Sequence, residues 1–417
     1  MPFARAEFPR RARALGRRCA AGAALAALTI PAIAGCSDPY RAPTPAGPTA
    51  EASDAETAAV ATLADLQRAL VRRDPDAAAE LAADVEIERV LRDSIDNAAR
   101  IGLDRLGLVY LTATGARAED DSWAAEVELT WRYRGYDAQS ARREITLRFS
   151  ADGSEIAGVG DRDAGLPLWM QQSVEVQRGA SYLVVGEPGR TLDQVGARVR
   201  TGLDQVRAVL GGTPRAVVEV PAAAGAIDRA LAAAPDTYAG VAGVTAPVDG
   251  SLASDAPVHV FLNPGVYGDL DPVAAQVVIT HELVHVATAA PQTVGAPLWL
   301  VEGFADYVAL RDVDLPVTRT AGQIIEQVQD EGLPSVLPSD AALNLTAGGL
   351  GAQYEASWQV CVTIAGAVGE DALIAFYRDV LGGTPLASAL RRHIGWTQAE
   401  LTANWRARLA DLAGVAP

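Results

Sequence analysis

The sequence predicts an α+β chain: an N-terminal helix-plus-antiparallel-sheet domain, then a mostly helical domain with a small sheet. Three observations lead there. A helical apolar period opens the globular part and gives way to long runs of period-2 alternation. Short apolar runs then alternate with helical stretches, and from about residue 319 the pattern is helical to the end. At 417 residues, 49% of them apolar with a mean hydropathy of +0.11, the chain is long enough for two cores.

Composition narrows the partners. Alanine supplies much of the apolar share, which favours helix. Aromatics are only 6%, so Leu, Val and Ala must build the cores. The net charge is −17 and arginine is the only strong base, which excludes a nucleic-acid surface.

The first residues are not expected to belong to the fold. Arg5, Arg10, Arg11, Arg13, Arg17 and Arg18 precede a short Ala/Leu stretch, the pattern of a secretion signal. It is too short and alanine-rich for a good membrane span. Ile33-Ala34-Gly35-Cys36 resembles a bacterial lipobox, in which the cysteine thiol becomes the lipid attachment point. This predicts a lipoprotein signal peptide over 1–35, lipidation at Cys36, and a membrane-anchored, extracytoplasmic place in the cell envelope. Ordinary secretion with an incidental Cys36 is the alternative. Residues 36–53, rich in Pro and Ala, read as a tether. With Cys19 in the signal, only Cys361 remains, so no intramolecular disulfide is available; in its helical stretch it reads as a buried small hydrophobe.

Residues 54–170 form the predicted accessory domain. From Thr57 to Arg73 the spacing places Val60, Leu63, Leu66 and Leu70 on one helix face. Strand-like runs follow. In the longest, Val127, Leu129, Trp131 and Tyr133 share one face, and Glu126, Glu128, Thr130 and Arg132 the other. Helices followed by a meander of long strands resemble the nuclear-transport-factor-like α+β domain, and no catalytic constellation is visible here.

The second domain is predicted over 180–417. SYLVVG and RAVVEV read as strands flanking a helix near Leu192–Leu210, and PVHVFLN as a strand that leads into the next helix. That helix starts well, with Asp271 as N-cap and Pro272 at the first position, and Pro291 should stop it. It carries HELVH. His281 and His285 sit one turn apart on one face and can fill two corners of a tetrahedral Zn²⁺. Glu282 lies beside them, placed to take a proton from a metal-bound water. Such a pattern would arise by accident in about two of a thousand chains with four histidines.

A second helix, opened by Pro297, carries Glu302 and Asp306 four apart. A carboxylate from an adjacent helix is the natural third ligand, leaving the fourth corner for water. Asp306 could accept the outer N–H of a ligand histidine, and Gly303 would let the two helices approach closely.

HELVH followed by WLVEGFADY resembles the gluzincin metallopeptidases, the thermolysin- and aminopeptidase-like clan. The resemblance is strong over about thirty residues and loose over about 180–417. It implies a zincin-type fold, zinc ligands His281, His285 and Glu302, general base Glu282, and Asp306 behind the ligands. The sixteen residues between His285 and Glu302 are slightly fewer than is usual for the better-known members. Neither the aminopeptidase exopeptidase motif nor thermolysin's second-domain histidine signature is apparent.

Such enzymes often place a Tyr or His where it can stabilise the tetrahedral oxyanion. Tyr354 is the candidate here, with a core tyrosine at a helix start as its alternative. His259 reads as a structural histidine, the alternative being a place near extended substrate at a sheet edge. Trp299 and Phe304 read as packing residues. The expected function is therefore a lipid-anchored, zinc-dependent, endopeptidase-like hydrolase acting on a peptide or protein. The rival is a non-catalytic envelope lipoprotein that keeps a structural zinc site and serves as a binding module.

Overall fold

The computed structural model describes residues 4–5, 50–160, 165–189, 192–344 and 348–416. Apart from Ala4–Arg5, the expected signal peptide lies outside the described residues, as do the lipobox, Cys36 and most of the tether.

The chain is mixed helix and sheet. After strand β1 (Ala4–Arg5) come helices α1 (Ala50–Arg72), α2 (Pro75–Ala79) and α3 (Val85–Ile101). Strands β2 (Leu103–Thr114), β3 (Trp123–Tyr133), β4 (Ala141–Phe149) and β5 (Ile156–Val159) then form an antiparallel sheet in sequential order. On β3 the alternation works as expected: Val127, Leu129, Trp131 and Tyr133 are buried. On α1 the buried stripe is Ala59, Leu63, Leu66 and Leu70, whereas Val60 is 47% exposed. Positions 59, 63, 66 and 70 follow the helical repeat, and Val60 lies one residue's rotation away from it. The small side chains of Ala55 and Ala59 admit the backbone of Gly153, where a Cβ would run into the Ala55 carbonyl.

The second part contains α4 (Leu168–Gln171), β6 (Glu175–Arg178), β7 (Tyr182–Gly186), α5 (Leu192–Leu210), β8 (Ala216–Val220), α6 (Ala224–Ala230), β9 (Gly243–Pro247) and β10 (Val258–Leu262). Its sheet runs β1-β9-β10-β8-β7-β6, with β10, β8 and β7 parallel and β9 and β6 antiparallel to their inner neighbours. Helices complete the chain: α7 (Pro264–Gly268), α8 (Pro272–Thr288), α9 (Leu298–Leu310), α10 (Val317–Thr320), α11 (Gly322–Glu331), α12 (Leu350–Val368), α13 (Glu370–Leu381), α14 (Leu386–His393) and α15 (Gln398–Ala413).

The inner strands are buried on both faces, as their continuous apolar runs require. One face, with Val184, Val218, Val260 and Leu262, packs on the helical layer that includes α5 and α8. The other, with Leu183, Val185, Val217, Val244, Ala246 and Phe261, shares a core with Trp131 and Tyr133 of β3. The hydrophobic interior therefore continues from the four-stranded sheet onto the back of the larger one. A sheet that is apolar on two faces needs two covering layers, and the first part of the chain supplies the second.

Candidate metal centre

Helix α8 is built to be central. Asp271 caps it, accepting from the amides of Val273 at 2.9 Å and Ala274 at 3.0 Å, and Ala289 closes it in the left-handed conformation at φ 51°. The helix is largely apolar and is covered by the sheet, α5 and α9, so Thr280, His281, Glu282 and His285 are buried.

The four polar groups expected around the metal converge. His281 Nε2 lies 3.0 Å from His285 Nε2, and each is 3.2 Å from Glu302 Oε2. These three side chains form the metal-ligand group found among the described residues, and all are buried. A tetrahedral zinc with ligands at about 2.0–2.1 Å separates its ligand atoms by about 3.3–3.4 Å, close to the spacing here. Asp306 Oδ1 sits 2.8 Å from His281 Nδ1. With a metal on Nε2, that contact would keep the ring proton on Nδ1 and hold the ring with Nε2 toward the other ligands.

The electrostatics favour a cation. Burial pulls the His281 pKa down, but Asp306 and Glu302 outweigh it and lift the pKa to about 10. Burial acts to raise the Glu302 pKa, yet His285 and His281 hold that carboxyl well below its usual range. Glu302 Oε1 and His285 Nδ1 are buried without a hydrogen-bond partner among the described residues. Two imidazoles and a carboxylate aimed at one point, with no solvent to screen them, fit Zn²⁺ in donor type, number and spacing.

Glu282 is buried beside the ligands, on the same turn as His281. Its Oε2 accepts from Thr245 Oγ1 at 2.6 Å, while Oε1 has no hydrogen-bond partner among the described residues. Desolvation raises its pKa, and the nearby His281 and His285 offset only part of that rise. Thr245 was not singled out from the sequence. It lies on β9, whose segment GVTAP is bracketed by glycine and proline and gives no strand signal of its own.

Tyr354 sits in the second turn of α12, buried, with its ring centroid 6.2 Å from that of His281. With Asp306 it lines a cavity of about 460 Å³ walled by Val277, Leu310 and Trp358. Gly303 does permit a close helix approach, but to α12 rather than α8: a Cβ there would be driven into the Ser357 carbonyl. Trp299, Phe304 and Cys361 are buried packing residues, and Phe304 stacks on Tyr377 with centroids 3.9 Å apart.

His259 does not stand at the sheet edge. Strand β10 lies between β9 and β8, and the imidazole projects from the face turned away from α8. Its Nδ1 is 2.6 Å from Glu219 Oε1 and its Nε2 3.1 Å from Asp137 Oδ1, with the Tyr133 ring edge-on at 4.6 Å. Burial lowers its pKa, but Asp137 and Glu219 prevail and raise it to about 9. It is a structural charge at the join between the two sheets.

No protein-family model matches the chain, and no curated protein matches its sequence. Among solved structures it is similar to M1 zinc metallopeptidases. One is a two-domain M1 zinc metallopeptidase mutant bound to L-arginine, with TM-score 0.34, 13% identity, and coverage of 74% of this chain and 61% of that one. Another is an M1 zinc metallopeptidase mutant from Deinococcus radiodurans, with TM-score 0.30, 14% identity, and coverage of 74% and 62%. The chain thus spans about three-fifths of those proteins' length.

Proposed function

We propose that the protein is a zinc-dependent, endopeptidase-like hydrolase. The observation that carries this is the convergence of His281, His285 and Glu302 next to a buried Glu282 with one uncommitted oxygen. His281 Nε2, His285 Nε2 and Glu302 Oε2 would hold the zinc, and Asp306 would orient His281. When bound, zinc supplies a Lewis acid that lowers the pKa of a water and polarises a peptide carbonyl. Glu282 Oε1 would accept a proton from the attacking water and then deliver it to the departing amine. Tyr354 is assigned to hydrogen-bond the oxyanion as it forms.

The sequence lacks the aminopeptidase exopeptidase motif, which favours cleavage within chains over removal of single N-terminal residues. The arginine-rich leader and Ile33-Ala34-Gly35-Cys36 support export and lipid anchoring through Cys36. Cleavage before Cys36 would remove β1, the partner of β9, and leave the outer edge of β9 open to an extended peptide.

The test is an unbiased peptide-cleavage profile of residues 36–417, with and without a chelator and after zinc is restored. Zinc-dependent cleavage at internal bonds is expected. Stoichiometric zinc with no peptide cleaved would leave the protein a binding module on a zinc scaffold.

A further inference from the structure

A general base must have its carboxylate fixed, with one oxygen held and the other free to receive a proton. On a helix, nothing local supplies that constraint: a glutamate side chain turns about three bonds. The structure shows where it comes from.

Strand β9 runs past α8 with alternate residues on opposite faces. Val244 and Ala246 enter the core shared with β3, so Thr245 faces α8. Thr245 is 2% exposed, and its hydroxyl is 2.6 Å from Glu282 Oε2 and 3.1 Å from the Glu282 carbonyl. One hydroxyl proton serves one acceptor well, and the shorter contact has the length of a charge-assisted O–H···O bond. Glu282 Oε1 is left without a hydrogen-bond partner among the described residues. Two residues before, at Gly243, the strand backbone closes on the same side chain: a Cβ there would come within 3.2 Å of Glu282 Cγ and 3.3 Å of Oε1. Glycine leaves room for the acid, and any larger residue would press on it.

We propose that Thr245 is a positioning residue for Glu282, holding Oε2 so that Oε1 faces the reacting water, with Gly243 as the floor against which the carboxylate lies. This rests on the peptidase reading above. A merely structural threonine would tie β9 to α8 and influence stability and metal binding. A positioning threonine acts on turnover and leaves both in place.

The experiment compares Thr245→Val, which keeps the shape and removes the hydroxyl, with Thr245→Ser, which restores it, in the zinc-loaded protein. Thr245→Val should lower kcat roughly 10- to 100-fold. KM, melting temperature and the zinc dissociation constant from chelator competition should stay close to wild type. Thr245→Ser should recover kcat to within about threefold of wild type, because the hydrogen bond is restored. A wild-type kcat in Thr245→Val overturns the proposal, as does a Thr245→Ser variant as slow as Thr245→Val. Loss of zinc and thermal stability together in Thr245→Val makes the residue structural and likewise overturns it. If the wild type itself cleaves no peptide, the peptidase reading has failed separately. Crystal structures of the zinc-loaded wild type and Thr245→Val then decide: a carboxylate that keeps its position without the hydroxyl overturns the proposal, and one that swings away from β9 upholds it.

Discussion

His281 Nε2 and His285 Nε2 lie 3.0 Å apart with their rings at 83° to one another. His281 Nδ1 is committed to Asp306, so His281 Nε2, His285 Nε2 and Glu302 Oε2 turn toward one buried point where positive charge is favoured. The arrangement therefore stores a demand for a cation, which a metal satisfies and a proton satisfies only in part.

Zinc should accordingly stabilise the fold. At free zinc about 100-fold above its dissociation constant, linkage gives about 2.7 kcal/mol. At about 2–4 °C per kcal/mol for a domain of this size, that is a rise of roughly 5–10 °C in melting temperature. Calorimetry of chelated and zinc-restored protein checks it, and Glu302→Ala should abolish the shift.

The buried His259 cluster predicts a pH dependence. Its pKa rises from 6.5 to about 9 in the folded protein, against Glu219, Asp137 and the Tyr133 ring. A raised pKa means that the imidazolium's contribution is full below the unfolded value and is lost as pH climbs through the folded one. The stability advantage of wild type over His259→Gln should thus shrink between about pH 6.5 and pH 9. Urea unfolding of both proteins across that window reads it directly.

Gly303→Ala should loosen the α9–α12 contact, because the methyl group meets the Ser357 carbonyl. Overpacked cores lose about 1–3 kcal/mol, and backbone against backbone has little room to adjust. Differential scanning calorimetry should show a melting temperature lower by several degrees, whereas Gly366→Ala, with open space on α12, should cost nothing comparable.

Tyr354→Phe separates the two readings of that residue. As an oxyanion donor, its loss should reduce kcat roughly 100-fold while zinc content stays unchanged. As a core tyrosine, the change would leave kcat near wild type, as steady-state kinetics would show.

The legible part of this protein was the part written locally. HELVH and the Glu302–Asp306 pair each fall within one or two helical turns, so spacing alone places their side chains on shared faces. Non-local partners left no such mark. The contact between Thr245 and Glu282 joins residues 37 apart, through a strand whose five residues include no aromatic or long apolar side chain. His259 was legible as a strand residue, but strand order decides whether it stands at an edge, and order is a property of the whole sheet. Gly303 signalled a close approach without naming its partner, and Val60 missed the buried stripe of α1 by one residue's rotation. The shared core between the two sheets was implied by runs such as YLVVG and AVVEV, which are apolar on both faces.

The most direct measurement pairs zinc content with peptide hydrolysis in wild type and Glu282→Gln. The ligands are untouched by that substitution, so both proteins should hold about one zinc per chain. Hydrolysis should fall in the variant by at least the roughly 10²–10⁴-fold that a general base contributes. A Glu282→Gln protein that cleaves peptides as fast as wild type, or a wild type that stays folded and active with no metal, would contradict the account.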